Sequence, residues 1–216
     1  GLPRNCRTWP SAFHGVEHKY ASEVDASYGP SRKGLDDLRI SGSGQFSARQ
    51  FDALVHELRK KTKGPIYDVD LRQESHGFFD GTAVSWYGRH DWGNIGKSQA
   101  EVLGDEQQRL QAALGTDVTV YDQGKGDLPV HPQIMTVRRV QTEQELAESK
   151  GVHYVRLAST DHLWPTPGEI DAFLVFVRTL PDDAWLHFHC EAGAGRTTAY
   201  MVMYDMVKNP DVPYRD

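Results

Sequence analysis

The run His189-Cys190-Glu191-Ala192-Gly193-Ala194-Gly195-Arg196-Thr197 holds the residues best suited to chemistry. A cysteine thiolate is a strong nucleophile, and a phosphoryl group in flight needs donors aimed at its three equatorial oxygens. One short loop can supply both. With Cys190 closing the apolar run Trp185-Leu186-His187-Phe188 as a strand, and Arg196 opening a helix, the five residues between them wrap their backbone N–H groups around one point at the helix N-terminus. Glu191, Ala192, Gly193, Ala194 and Gly195 are therefore phosphate-binding candidates through their backbone, and the glycines allow the angles such a wrap requires. Arg196 returns to the same point as a planar fork suited to bidentate phosphate contact. Thr197 can donate its hydroxyl to the sulfur and ease its departure in a second step. Cys190, Arg196 and Thr197 are thus the catalytic candidates of this run. The alternatives are a buried structural cysteine beside a Gly-rich turn, or a rhodanese-type sulfur-transfer loop, which is usually shorter.

Phosphoryl transfer also needs an acid to protonate the leaving oxygen. The upstream segment Ala158-Ser159-Thr160-Asp161-His162-Leu163-Trp164-Pro165 offers Asp161, which, once ionised, can activate the water that clears a phosphocysteine. On its own, an aspartate in such a loop reads as an Asx turn or N-cap. His162 either contacts substrate phosphate or braces the loop.

These residues need a scaffold of strands and helices. The first 45 residues are rich in Pro, Gly and Ser and read as an irregular lead-in that ends at Ser41-Gly42-Ser43-Gly44. Ser47-Ala48-Arg49-Gln50 is a capping box, followed by Phe51, Leu54, Val55 and Leu58 at helical spacing up to Lys60-Lys61. Strands are predicted over Ile66–Leu71, Thr82–Trp86, Val118–Tyr121, Thr136–Val140 and Val152–Leu157. A surface helix is predicted over Ser98–Leu114, broken or kinked near Gly104, and a short one from Thr142-Glu143-Gln144-Glu145 to Gly151. Thr166-Pro167-Gly168-Glu169 starts a helix to about Leu180, and the last helix runs from Arg196 to Lys208, before Pro210. Strands alternating with helices imply an α/β class with a parallel-rich sheet, its ligands at the C-terminal ends of strands.

A length of 216 residues fits one domain, and a net charge of −6 leaves no broad footprint for nucleic acid or an anionic membrane. Two cysteines, Cys6 and Cys190, exclude a disulfide framework, and no apolar run approaches the length of a membrane helix. The start at Gly1, without Met, fits processing or engineering, including removal of an export signal. His14-Gly15-Val16-Glu17-His18 matches an inverted zinc-protease pattern, but Gly15 and the Pro-rich surroundings oppose the helix that this pattern needs. His187 and His189 alternate along their strand and point the same way, with His189 buttressing the loop through a ring hydrogen bond rather than holding metal.

Together, Asp161-His162-Leu163-Trp164-Pro165-Thr166-Pro167 and the run Trp185 to Thr198 resemble the bacterial protein-tyrosine-phosphatase-like phytases, or cysteine phytases. Asp70-Leu71-Arg72-Gln73-Glu74-Ser75-His76-Gly77, Val84-Ser85-Trp86-Tyr87-Gly88, Asp91-Trp92 and Gln141-Thr142-Glu143-Gln144-Glu145 resemble the same family, so the likeness covers most of residues 1 to 208. It implies a protein tyrosine phosphatase-like core, with a central parallel-rich sheet flanked by helices. Residues 1–216 would form a single phosphatase domain, with any small β-rich insertion within 88–140. It further implies stepwise hydrolysis of myo-inositol hexakisphosphate through a phosphocysteine, without metal or other cofactor. Arg7 and Lys125 match the basic residues that hold further phosphates in that family, and Asp91 would line the pocket, touching an inositol hydroxyl or positioning a base. The implied partner is a small-molecule polyphosphate, with neither nucleic acid nor membrane and with a homo-oligomer left open; the implied location is periplasmic or secreted.

Two departures stand out. The sequence ends 20 residues after Arg196, where the family normally continues with helices that pack behind the loop and contribute lysines, so it reads either as a reduced member of the family or as a shortened sequence. Glu191 and Ala194 occupy places where phosphatases of inositol lipids often carry lysine, which disfavours a lipid substrate. The alternative activity is a protein phosphotyrosine or dual-specificity phosphatase, which would need a deep slot with an aromatic wall. A phosphate-binding module without turnover is a third reading, opposed by intact Cys190, Arg196, Thr197 and Asp161.

Overall fold

The computed structural model describes residues 1–8, 38–86, 94, 96–123, 128–161 and 163–210. Its main sheet has five strands: β1 (Arg7–Thr8), β2 (Ile40–Ser43), β3 (Ile66–Arg72), β9 (His153–Ser159) and β10 (Trp185–His189), in the order β1-β2-β10-β3-β9. β10 runs parallel to both β2 and β3, β3 runs parallel to β9, and only the edge strand β1 is antiparallel. This is an α/β fold with a parallel sheet buried on both faces, as continuous burial of all five β10 residues requires.

One face packs on α4 (Pro167–Arg178) and α5 (Gly195–Lys208), where Ile40, Val69, Leu186 and Phe188 meet Phe173, Tyr200 and Met201. The other packs on α1 (Ala48–Lys61) and α3 (Glu143–Ser149), where Ile66 and Trp185 meet Phe51, Leu54, Leu58 and Leu146. Because β10 lies between β2 and β3, its C-terminal end opens into a crevice at which neighbouring connections diverge, a place where open α/β sheets bind ligands.

A smaller antiparallel sheet, β5-β4-β8, comprises β4 (His76–Phe79), β5 (Thr82–Ser85) and β8 (Val140–Gln141). A separate hairpin pairs β6 (Asp117–Gln123) with β7 (Pro129–Thr136). α2 (Gln99–Ala113) packs Leu110 and Ala113 with Phe79 and Val137 in a third apolar cluster.

Four expectations are corrected. The lead-in hides β2, whose sequence Ile-Ser-Gly-Ser is fully buried in mid-sheet. Small residues are needed there because a Cβ on Gly42 would lie 2.6 Å from the Met201 sulfur and 2.7 Å from Thr197 Cγ2 of α5. α2 continues through Gly104; the glycine costs about 1 kcal/mol against alanine, while Val102, Leu110 and a Ser98/Glu101 capping box hold the helix. The β7 strand lies earlier than Thr136–Val140, since its mostly exposed residues lack an apolar alternation. β4 was not foreseen because all four of its residues are buried, which removes the two-residue pattern.

Candidate active site

Cys190 follows β10 and is 3% exposed. Its sulfur accepts the Gly193 N–H at 3.2 Å and lies 3.0 Å from Thr197 Oγ1, whose single proton is shared with the Ser43 carbonyl at 3.3 Å. Gly193 adopts φ +80°, and a Cβ there would sit 2.3 Å from the Gly44 nitrogen, so this position tolerates no side chain. The helices α1 to α4 each begin with a full capping box, whereas α5 begins at Ala194 with no side-chain cap. The first-turn amides of α5 therefore face the loop's interior with no side-chain acceptor drawn from their own cap.

Arg196 is buried in the first turn of α5 and is gripped along one edge by Glu74: Nη1 donates to Oε2 at 2.7 Å and Nη2 to Oε1 at 2.9 Å. Nη1 also donates to the Ser159 carbonyl at 3.1 Å. The remaining Nε edge faces Asp161 Oδ1 at 3.3 Å. The fork anticipated for phosphate is thus spent on Glu74 along one edge and presented to the crevice along the other. Glu74 is itself held by Arg72 Nε at 2.7 Å. Burial alone would raise the Glu74 carboxyl, but Arg72 and Arg196 hold it well below the usual carboxylate range. Glu74 was missed as a site residue. Its one sequence signal is an acid set among Arg72 and His76 just past a buried strand.

Asp161 sits on the segment between β9 and α4. Glu169, in the first turn of α4, accepts the Ser159 hydroxyl at 3.0 Å and the Thr166 N–H at 3.1 Å, so one carboxylate cinches both ends of this segment. Arg7, on β1, donates to Thr198 Oγ1 at 3.1 Å and to the Asn5 carbonyl at 2.8 Å. Burial lowers its pKa, while Cys190 and Cys6 work to raise it, which places its guanidinium in the field of the loop. The Glu191 carboxylate turns outward to Arg4, and Ala192, Ala194 and Gly195 are exposed. The structure thus brings together Cys190, Arg196, Thr197, Asp161, Arg7 and the loop residues 191–195. His162, Asp91 and Lys125 lie outside the described residues, as does the His14–His18 motif. An open cavity of about 700 Å³ flanks the loop, lined in part by Arg4, Gln45, Arg72, Tyr121, Asp122 and Glu191.

Beneath the loop lies a layer of buried polar groups. His189 Nε2 meets Glu143 Oε2 at 2.6 Å, and its Nδ1 lies 3.2 Å from the Cys190 carbonyl. Among the described residues, Asp68-Glu143-His189 and Asp70-His76-Glu143 cluster their ligand-type atoms within 4.8 Å, with His189 hydrogen-bonded to Glu143 in the first and His76 to Asp70 in the second. Burial, reinforced by Glu143, holds the Asp68 carboxyl well above its ordinary range, and neither of its buried oxygens has a hydrogen-bond partner among the described residues.

His187 and His76 titrate in opposite senses. Ser43 Oγ donates to the Gly44 carbonyl at 2.7 Å, so it accepts from His187 Nε2–H at 2.8 Å; the bare Nδ1 then accepts from Ser41 Oγ at 2.7 Å, which itself accepts the Trp185 indole Nε1–H. The ring is neutral, and burial pushes it down from 6.5 to about 3. His76 instead donates from both nitrogens, to the Glu74 carbonyl and to Asp70. Burial opposes its charge, yet Asp70 prevails and the ring is pushed up to about 9.

Stability contributed by His76 is complete below pH 6.5 and is lost as pH rises towards 9; stability involving His187 is complete above pH 6.5 and is lost as pH falls towards 3. Urea unfolding should therefore give a stability maximum near pH 6.5, with a loss of about 2 kcal/mol by pH 5 from His187 alone. A His187→Gln variant should show a shallower acid limb, and a wild-type curve that is flat from pH 5 to 8.5 would refute this account.

A cysteine at the end of a central parallel strand, an amide loop, and an arginine in the first turn of the next helix define a protein-tyrosine-phosphatase-like architecture. Residues 69–208 match the family model of the PTP-like phytases, described by inositol hexakisphosphate, and the chain belongs to this family. It is 52% identical to the tandemly repeated protein tyrosine phosphatase-like phytase from Mitsuokella multacida, with a TM-score of 0.91 over 99% of this chain and 36% of that one. The PTP-like myo-inositol phosphatase from the same organism, solved in complex with myo-inositol-(1,3,4,5)-tetrakisphosphate, gives 52% identity and a TM-score of 0.89 over 98% of this chain and 36% of that one. A PTP-like phytase from Bdellovibrio bacteriovorus gives 38% and 0.68, over 83% of this chain and 63% of that one. Among curated proteins, Effector protein hopD2 of Pseudomonas syringae pv. tomato is 31% identical over 210 residues, which are 93% of this chain and 44% of the relative. The chain thus spans less than half of that relative and of the Mitsuokella proteins.

Proposed function

We propose that this chain hydrolyses phosphomonoesters of myo-inositol polyphosphates, phytate among them, through a phosphocysteine intermediate. The observation that carries the reading is the convergence of the Cys190 sulfur, the Gly193 amide, the Thr197 hydroxyl and the Nε edge of Arg196 beside Asp161 at one crevice, in a member of the PTP-like phytase family. The tetrakisphosphate bound by the Mitsuokella relative supports a small polyphosphate as substrate.

In this mechanism Cys190 Sγ attacks phosphorus in line, forming the S–P bond as the P–O bond to the inositol oxygen breaks. The amides of residues 191–196 and the Nε edge of Arg196 hold the equatorial oxygens, and Asp161 passes its proton to the leaving alkoxide. In the second step the Asp161 carboxylate takes a proton from water, the water oxygen attacks phosphorus, and the departing thiolate is met by the Thr197 hydroxyl. Arg7, His162, Asp91 and Lys125 are assigned to the remaining phosphates and hydroxyls of the ring. Residues 1–216 act as one phosphatase domain, with any small β-rich insertion placed within residues 88–140, in a periplasmic or secreted setting. Among the described residues no helix is long and apolar enough to cross a membrane.

The test is phosphate release from inositol hexakisphosphate and from nitrophenyl phosphate at mildly acidic pH with EDTA present, for the parent and for Asp161→Asn. The parent should act on both substrates. The variant should lose roughly 10²- to 10⁴-fold on the inositol ester, whose alkoxide needs the proton, and only a few-fold on the good leaving group. Equal losses would remove Asp161 from the acid role. Activity confined to nitrophenyl phosphate and phosphotyrosine peptides would replace the substrate assignment.

A further inference from the structure

Amides can converge on a bound oxyanion only if the carbonyls of the same peptide units point away, because each unit is planar and trans. In this loop the outward carbonyls do not end in solvent. The Glu191 carbonyl accepts from Arg4 Nη2 and from the Gln45 N–H, both at 2.9 Å, and Arg4 also pairs with the Glu191 carboxylate. The Ala192 carbonyl accepts from Asn5 Nδ2 at 2.7 Å. That second peptide unit is the one whose other end, the Gly193 N–H, points at the Cys190 sulfur.

The donors come from a fixed segment. The Arg4 carbonyl accepts the Gly44 N–H at 3.0 Å, the Asn5 carbonyl accepts Arg7 Nη1 at 2.8 Å, and β1 pairs Arg7 with Gly42. Asn5 itself adopts φ +52°, a conformation that asparagine tolerates better than most residues and that turns its amide towards Ala192. Gly193 rests directly against the Ser43–Gly44 backbone, whose Gly44 N–H is the one bonded to the Arg4 carbonyl.

We propose that Arg4 and Asn5 are positioning residues that set the amide geometry of the phosphate loop from outside, Asn5 through the Ala192–Gly193 unit and Arg4 through the Glu191–Ala192 unit. The proposal rests on Cys190 being the nucleophile. Neither residue touches the reacting atoms; each fixes the rotation of a peptide plane and so the direction of the N–H on its far side. Both side chains are exposed, and the share of Arg4 is smaller because the Gln45 N–H also holds the Glu191 carbonyl.

The test uses the full chain with Asn5→Gly, which keeps the left-handed backbone and removes only the side-chain donor, and Asn5→Asp, which keeps the shape but has no N–H to offer. Three quantities are read: alkylation of Cys190 by iodoacetate at pH 6, followed on the Cys190 peptide because Cys6 is a second thiol; kcat and KM for nitrophenyl phosphate; and the melting temperature. Both variants should alkylate Cys190 severalfold more slowly, since the thiolate loses a well-aimed donor, and should lose about tenfold in kcat, on the scale of a misaligned catalytic group, with little change in melting temperature. Unchanged alkylation and kcat in both variants would overturn the proposal. So would faster alkylation with a lowered melting temperature, the mark of a segment that merely covers the site. A parent inactive on every phosphomonoester would instead refute the proposed function, while the alkylation comparison still decides the tether.

Discussion

Cys190→Ser should bring phosphate release from inositol hexakisphosphate below detection, a loss of roughly 10⁴-fold or more as for other covalent nucleophiles, while the protein still binds inorganic phosphate. The two outcomes separate because the site's parts are independent. The peptide unit that carries the Gly193 amide is held at its other end by Asn5, and Arg196 is aimed by Glu74 and the Ser159 carbonyl, so these supports do not pass through the sulfur. A serine hydroxyl fits the space between the Gly193 N–H and Thr197, but it presents a protonated, weak nucleophile. Phosphate binding measured by calorimetry should stay within a few-fold of the parent. Residual turnover above a hundredth of the parent rate would show that Cys190 is not the nucleophile, and loss of binding with loss of turnover would show that the loop needs the sulfur to keep its shape.

The loop that carries this prediction was the most legible part of the chain, because its information is local. Strand, five residues, arginine and threonine stand in one run, and the helices around it announce themselves through capping boxes at Ser47, Thr142 and Thr166. What the sequence concealed is what depends on residues far apart. β2 carries a single apolar residue, and its strand character comes from pairing with β10 and from the close approach of α5 to Gly42. Arg4 and Asn5 sit among residues that read as an irregular lead-in, yet their partners, Glu191 and Ala192, lie at the other end of the chain. His187 and His189 were placed on one side of their strand, but the neutral ring of His187 depends on Ser41 and Ser43, and the ring contact of His189 on Glu143, none of them adjacent in sequence. Gly104 misled because its local cost is small beside the burial of Val102 and Leu110.

The same distinction explains why Glu74 went unnoticed and why its loss should be the most damaging to the fold. Its carboxylate is fully buried between two guanidiniums that are each 2% exposed, Arg72 at 2.7 Å and Arg196 at 2.7 and 2.9 Å. Glu74→Gln keeps the size and removes the charge, leaving two buried cations facing a neutral amide. Breaking a buried ion pair from one side costs about 3 to 5 kcal/mol, which for a domain of this size lowers the melting temperature by roughly 6 to 20 °C. Because the Glu74 carboxyl lies well below its unfolded value, its contribution is present above about pH 4.5 and is lost as pH falls through the folded value; the variant's deficit should therefore narrow in acid.

Activity should fall with stability, but a general loss of structure is separable from loss of aim. A bound phosphate dianion would stand beside Arg196 and restore part of the missing negative charge. Saturating phosphate should consequently raise the melting temperature of Glu74→Gln by more degrees than it raises that of the parent. An equal or smaller rise would mean that the anion does not share Arg196 with Glu74, and that the Nε edge of this arginine serves Asp161 rather than the substrate.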